Sequence, residues 1–297
     1  MKLCLGTVQF GMDYGIVGQK KPDLNYAVRC LDFATQNGID AIDTAKAYGT
    51  AEEVVGEFLK RHTVPREKLF ISTKFRPNLL DGLEEGKYRD VVRSELVEQL
   101  YTMRLDYVDA YMFHSAKYAF QEAALEAIAS VQKEGLARKV GVSVYEPKEA
   151  KWCLDSRYVT FMQMPYSIFD HRMKEAGIFD KAASGTCEIH TRSAFIQGLV
   201  TLRPEQIPPF LKKAGPIIRK MDQICSDAGI SRVQLAMAYV KREPAISHLV
   251  FGVDSLEQLE EDIRLFQKEA PAGLLGQIDS EFSGIEADIV MPSLWKR

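Results

Sequence analysis

Asp43, Tyr48, Lys74 and His114 are the residues of this chain whose types and spacing suit chemistry. Asp43 stands at the end of the apolar run "IDAID", and Tyr48 follows five residues on, in "TAKAYG". Lys74 closes "ISTK", and His114 closes "YVDAYMFH". A tyrosine, with an ordinary pKa of about 10, keeps its proton at neutral pH and gives it up poorly without help. An ammonium beside the phenol would lower that pKa, a carboxylate would keep the ammonium charged and fixed, and an imidazole could orient or polarise a substrate oxygen. The four together would donate a proton to an oxygen that turns negative in the reaction, with no nucleophile and no metal. Singly, each has a plainer reading: Asp43 capping a turn, Tyr48 packing a loop, Lys74 facing solvent, His114 satisfied in a core. The plainer readings weaken if all four arrive on one face, which depends on the elements that carry them.

Short apolar runs of strand length recur at 2–6, 39–43, 68–73, 107–114, 139–144, 159–164, 187–191 and 247–252. Between them lie segments of helical period, such as 26–38 and 90–103, with Gly38 and Gly135 as natural helix stops. Strict alternation of strand and helix requires parallel strands, and eight repeats predict closure into an α/β (β/α)8 TIM barrel, a single domain over 1–297. A doubly wound open sheet is the rival, but no GxGxxG follows the first strand and no linker divides the chain. In a barrel, the C-terminal strand ends share one mouth, so Asp43 ending the second strand, Lys74 following the third and His114 ending the fourth should converge there. The stretch 204–216 is an excursion after the seventh strand.

Composition narrows the partners. With 46% hydrophobic and 27% charged residues the chain is globular, and a net charge of -3 offers no field for nucleic acid or an anionic membrane. Five scattered cysteines without CxxC spacing suit a reducing cytoplasmic setting, and the first residues are too polar for a signal peptide or membrane span. His62, His171, His190 and His248 form no HExxH pattern and GxSxG is absent, so no metal site and no serine hydrolase is expected. His190 and Arg192 alternate near a strand end; His190 is read as lining the barrel for structural reasons.

Over nearly its whole length the chain resembles the aldo-keto reductase superfamily. "LGTVQFG" is similar to the opening strand of that family, "IDTAKAYGTAEEVVGEFL" to its Asp and Tyr motif, "ISTKF" to its lysine motif and "LDYVDAYMFH" to its histidine motif. "GLARKVGVS" resembles the fifth strand and "GVDSLEQLEED" the C-terminal nucleotide segment. The resemblance implies a barrel that moves a hydride from NADPH or NADH to a small aldehyde or ketone, a sugar-type carbonyl among them. Asp43, Tyr48, Lys74 and His114 would be its catalytic tetrad, with Tyr48 the general acid. Ser143 and Gln163 would hold the nicotinamide carboxamide. Gly6, Thr7 and Asp43, the run Arg192, Ser193, Phe195 and Gln197, and the segment Gly252, Val253, Asp254, Ser255, Gln258, Glu261 and Asp262 would meet the rest of the cofactor.

Four positions depart from the family pattern. Val144 stands where Asn often follows the serine, Arg192 where an aromatic ring commonly stacks, Asp254 where a basic residue meets the 2′-phosphate, and Asp262 in place of a frequent Asn. Arg192 would either lie against the nicotinamide, favouring the reduced form, or turn into the pocket toward an acidic or phosphorylated group. An acid near a 2′-phosphate would cost roughly 3 kcal/mol at about 5 Å and an effective dielectric near 20, so relaxed use of NADPH or a preference for NADH is expected. Lys241, Arg242 or Arg264 would reverse this if they lay close. The substrate pocket is expected to be shaped by 76–90, 204–216 and the tail, with Trp295 read first as a hydrophobic anchor and second as a wall of the site. A nucleotide-sensing subunit that keeps the pocket with little turnover is the alternative function.

Overall fold

The computed structural model describes residues 1–296. Eight parallel strands pair in chain order and close on themselves: β1 (Lys2–Gly6), β2 (Ala41–Asp43), β3 (Phe70–Phe75), β4 (Val108–Phe113), β5 (Ala137–Ser143), β6 (Phe161–Pro165), β7 (Glu188–Arg192) and β8 (Ile246–Phe251), with β8 returning to β1. The expected barrel is therefore the observed one, and the open sheet is excluded. Boundaries move by small amounts. Lys74, expected just after the third strand, lies inside it, and His114 is the first residue past the fourth.

Helices cover the outside, for reasons that are local. The helix Leu24–Gln36 starts where the Asp23 carboxylate accepts from the Tyr26 amide at 2.9 Å, turns Ala27, Cys30, Leu31 and Ala34 inward, and stops at Gly38, whose φ of +87° suits glycine. The helix Ala51–Arg61 carries Glu52 and Glu53 in its first turn and Lys60 and Arg61 in its last, matching the helix dipole, and buries Val54, Val55 and Phe58. No helix among the described residues is long and apolar enough to cross a membrane.

Because side chains alternate across a strand, every second residue enters the barrel. Cys4, Ala41, Phe70, Ala110, Met112, Phe161 and Val250 fill its interior, while the other face of each strand packs against the helices. Gly141 makes room in the sheet: a Cβ there would sit 1.6 Å from the carbonyl oxygen of Phe161 on the paired strand.

Candidate active site

The same alternation selects the site. Asp43 lies two residues beyond Ala41, Lys74 two beyond Ser72 and His114 two beyond Met112, so the inward rows on three neighbouring strands end in an acid, an ammonium and an imidazole. Lys74 Nζ donates to both Asp43 carboxylate oxygens, at 2.8 and 2.7 Å, and to the Thr44 carbonyl at 2.9 Å. Both side chains are buried. A buried ion pair survives when its other lone pairs are satisfied, and here Ser72 Oγ and Gln163 Nε2 also donate to Asp43 Oδ1, at 2.9 and 2.8 Å. The Lys74 ammonium lies 4.9 Å from the centre of the Tyr48 ring, and the His114 ring meets that ring edge-on at 5.6 Å.

The protonation states follow from burial. Burial first, and then the Asp43 charge, raise the Tyr48 phenol well above its ordinary range, while Arg192 opposes them. The expectation that Lys74 loosens this proton does not hold in the resting site. There Asp43 neutralises Lys74 at contact distance, so desolvation dominates and the phenol stays protonated. His114 is pushed down to about 3 by burial and by the charges of Lys74 and Arg192, against Asp43, so its imidazole is neutral. Its Nδ1 is buried without a protein partner.

A cavity of about 560 Å³ opens above this cluster. Gly6, Asp43, His114, Gln163 and Arg192 line it from strand ends, Tyr48, Ser193, Phe195 and Gln197 from the segments that follow, Gly252 and Asp254 from the turn after β8, and Gln258 from the first turn of the next helix. Thr7, Ser143 and Val253 are buried outside that lining, and Lys74 is buried against Asp43. Ser255 caps the helix Leu256–Phe266, its Oγ accepting from the Gln258 amide at 3.1 Å. Glu261 does not reach the cavity; it faces Arg264 on the helix surface at 3.6 Å. Asp262 is buried, with Oδ2 unpartnered and its carboxyl pushed up to about 7 by burial and by Glu261.

The donor set fits a nicotinamide cofactor. Ser143 and Gln163 are paired across β5 and β6, and Ser143 Oγ and Gln163 Oε1 are both buried without partners. A carboxamide, one acceptor and one NH2 donor, would satisfy them together. At the other end the helix Leu256–Phe266 begins beside the cavity, a position that favours an anion.

Several lining residues had no sequence signal of their own. Tyr14 and Ile16 belong to a strap in which Tyr14 bridges Gln19 and the Ile16 amide donates to the Gln197 carbonyl at 3.1 Å. Gln9 lies so close to Gly252 that a Cβ there would sit 2.2 Å from its Oε1. Tyr145, two residues past Ser143, could have been found by continuing the alternation of β5. The loops 76–90 and 204–216, expected to shape the pocket, contribute nothing to its lining; 14–19, 201–202 and Pro292 with Ser293 do. Trp295 donates its indole N–H to the Ile289 carbonyl at 3.3 Å, lies near Phe210 and packs against the core, in keeping with an anchor.

At the opposite end of the barrel Glu188, His190 and His248 gather with potential ligand atoms within 4.8 Å of one another. His190 Nε2 donates to Glu188 Oε1 at 3.0 Å, Ser247 Oγ donates to the same oxygen at 3.1 Å, and Lys139 binds the other. Burial keeps His190 neutral and lowers its pKa. The glutamate thus already has a cation in Lys139, while His190 Nδ1 and His248 Nδ1 are buried without hydrogen-bond partners.

A model of the Aldo/keto reductase family matches residues 2–280. The Bacillus subtilis protein named "Uncharacterized oxidoreductase YqkF" is 26% identical over 258 residues, covering 81% of this chain and 82% of its own length. The L-galactose dehydrogenase of Arabidopsis thaliana is 25% identical over 272 residues, covering 87% and 83%. In fold, the aldo-keto reductase AKR11C1 from Bacillus halodurans superposes with a TM-score of 0.76 at 20% identity, over 99% of this chain and 95% of that one. With a closed eight-stranded barrel and a family match that spans residues 2–280, the chain belongs to the aldo/keto reductase family and is an oxidoreductase of carbonyl compounds.

Proposed function

We propose that the protein reduces an aldehyde or ketone to an alcohol with NADH or NADPH, Tyr48 acting as general acid. The observation that carries this reading is the buried Asp43–Lys74 pair beneath the Tyr48 ring, with neutral His114 edge-on to it and a cavity above all of them. When bound, the nicotinamide cofactor supplies a hydride to the carbonyl carbon, leaving negative charge on oxygen. Tyr48 is built to answer that charge: its proton is retained at neutral pH and released only to a strongly basic oxygen. Lys74 then stands near the phenolate, with Asp43 holding it in place. Neutral His114 can direct an N–H toward the same oxygen. Ser143 and Gln163 would grip the carboxamide, and the turn Gly252–Ser255 the adenosine half.

The test is consumption of NADH or NADPH with a panel of aldehydes, ketones and sugars, alongside Tyr48→Phe. Turnover by the natural protein and its fall by about 10²–10⁴ in the variant, with cofactor affinity retained, is the expected result. Tight cofactor binding without turnover of any carbonyl would instead identify a nucleotide-sensing subunit.

A further inference from the structure

Arg192 ends the inward row of β7, after Glu188 and His190, and lines the cavity beside Tyr48 and His114. It is held rather than free: Nη2 donates to the Val144 carbonyl at 3.1 Å, Nη1 to Ser193 Oγ at 3.3 Å, and Cζ lies 4.2 Å from the centre of the Tyr145 ring. A guanidinium has five N–H donors, so these bonds leave others to spare. Among the described residues no carboxylate lies within ion-pairing distance of it, whereas Arg172, Arg232 and Arg242 each hold one. Of the two acids lining the cavity, Asp43 is already neutralised by Lys74, and Asp254 belongs to the turn after β8, where the cofactor's adenosine half is expected. The reaction end of the cavity therefore carries one uncompensated positive charge, fixed in position.

Resting on the reductase reading above, we infer that the physiological substrate is an anionic carbonyl compound whose carboxylate or phosphate is received by Arg192. A half-buried guanidinium is costly to hold without a counterion, and its planar fork suits oxyanions with two acceptor oxygens. A neutral sugar would leave this cation unanswered. A cofactor pyrophosphate, when bound, would have the helix start at Leu256 to meet it and would not need Arg192.

Two matched pairs test this: butanal against 4-oxobutanoate, and glyceraldehyde against glyceraldehyde 3-phosphate, with the natural protein, Arg192→Gln and Arg192→Lys. In at least one pair the anionic member should lead by tenfold or more in kcat/KM, chiefly through KM. Arg192→Gln should bring that ratio toward one, and Arg192→Lys should restore part of it. The pair that responds tells carboxylate from phosphate. Equal ratios in the natural protein, or a change in cofactor dissociation constant with no change in ratio, would overturn the inference. Calorimetric binding of the products 4-hydroxybutanoate, glycerol 3-phosphate and 1-butanol to the protein saturated with oxidised cofactor gives a readout independent of turnover. Binding of either anion that Arg192→Gln abolishes supports the inference even if no carbonyl is reduced, in which case only the reductase reading falls; no Arg192-dependent binding sinks it.

Discussion

Tyr48 and His114 are both buried against the same ion pair, and the low dielectric drives each to its neutral form. For His114 this has a pH signature. Its ordinary value is 6.5 and its folded value about 3, so between those limits the unfolded chain binds a proton that the folded one refuses. Stability is therefore full above about 6.5 and falls on acidification toward 3. Turnover, in contrast, should show no ionisation near 6.5 from this residue, and a pH profile of kcat measured with the natural protein and His114→Gln checks it. Asp254 permits a second prediction at this scale. The basic residues that could have offset it are engaged elsewhere: Lys241 with Glu269 at 2.6 Å, Arg242 with Asp279, and Arg264 with Glu261. The preference should lean to NADH, and Asp254→Ser should shift the ratio of kcat/KM values toward NADPH by roughly tenfold, about 1.4 kcal/mol.

The elements hold Tyr48 by means that motif spacing does not display. Its loop is clamped on one side by Gly11, where a Cβ would lie 1.8 Å from the Tyr48 carbonyl oxygen, and Thr50 donates its amide to the Gly11 carbonyl at 3.1 Å. On the other side the helix Ala51–Arg61 is tied to β3 through a buried acid. Glu52 Oε1 accepts from Thr73 Oγ1 at 2.7 Å and Gln99 Nε2 at 2.6 Å, and Gln99 Oε1 accepts from Tyr111 at 2.9 Å. Thr73 precedes Lys74, so this network sets the distance between the helix after Tyr48 and the strand that carries the lysine. Removing the carboxylate strands the donors of Thr73 and Gln99. Glu52→Ala should cost about 1–3 kcal/mol in denaturant titration and lower kcat through misplacement of Tyr48. The strands and outer helices were legible because period 2 and period 3.6 survive in the sequence; the strap 12–20 was not, because its Tyr14–Gln19 bridge has no period to read.

Across the whole molecule the barrel divides its polar interior into two ends. The mouth carries the candidate chemistry, and the base carries Glu188, His190, His248 and Lys139, tying β5, β7 and β8 together. Burial opposes ionisation of Glu188, but hydrogen bonds from His190 and Lys139 prevail and take its carboxyl down to about 2, from an ordinary 4.5. Its contribution to stability is present above 4.5 and lost as the pH falls toward 2. His248, held at about 4 by burial and by His190, destabilises the fold earlier, as the pH falls from 6.5 to 4. Melting temperature against pH should thus decline in two overlapping stages, the upper set by His248 with His114 and the lower by Glu188 with the remainder of His114. Glu188→Gln should lower the neutral-pH melting temperature and flatten only the lower stage, with the cofactor site left intact.

The sequence by itself determined the barrel, the order of its strands and the four residues at its mouth, because strand periodicity dictates which side chains point inward and where each row ends. It could not say that Asp43 would cancel Lys74 and leave Tyr48 firmly protonated, since that outcome depends on contact distances and on the depth of burial. Nor could it show which of its many basic side chains lacked an acid. Lys241 and Arg242 find partners far away in the chain, whereas Arg192 is left to face the cavity with its charge unmatched. Pairing between remote residues is decided by closure of the barrel, which brings to one place side chains whose separation along the chain carries no information about their contact.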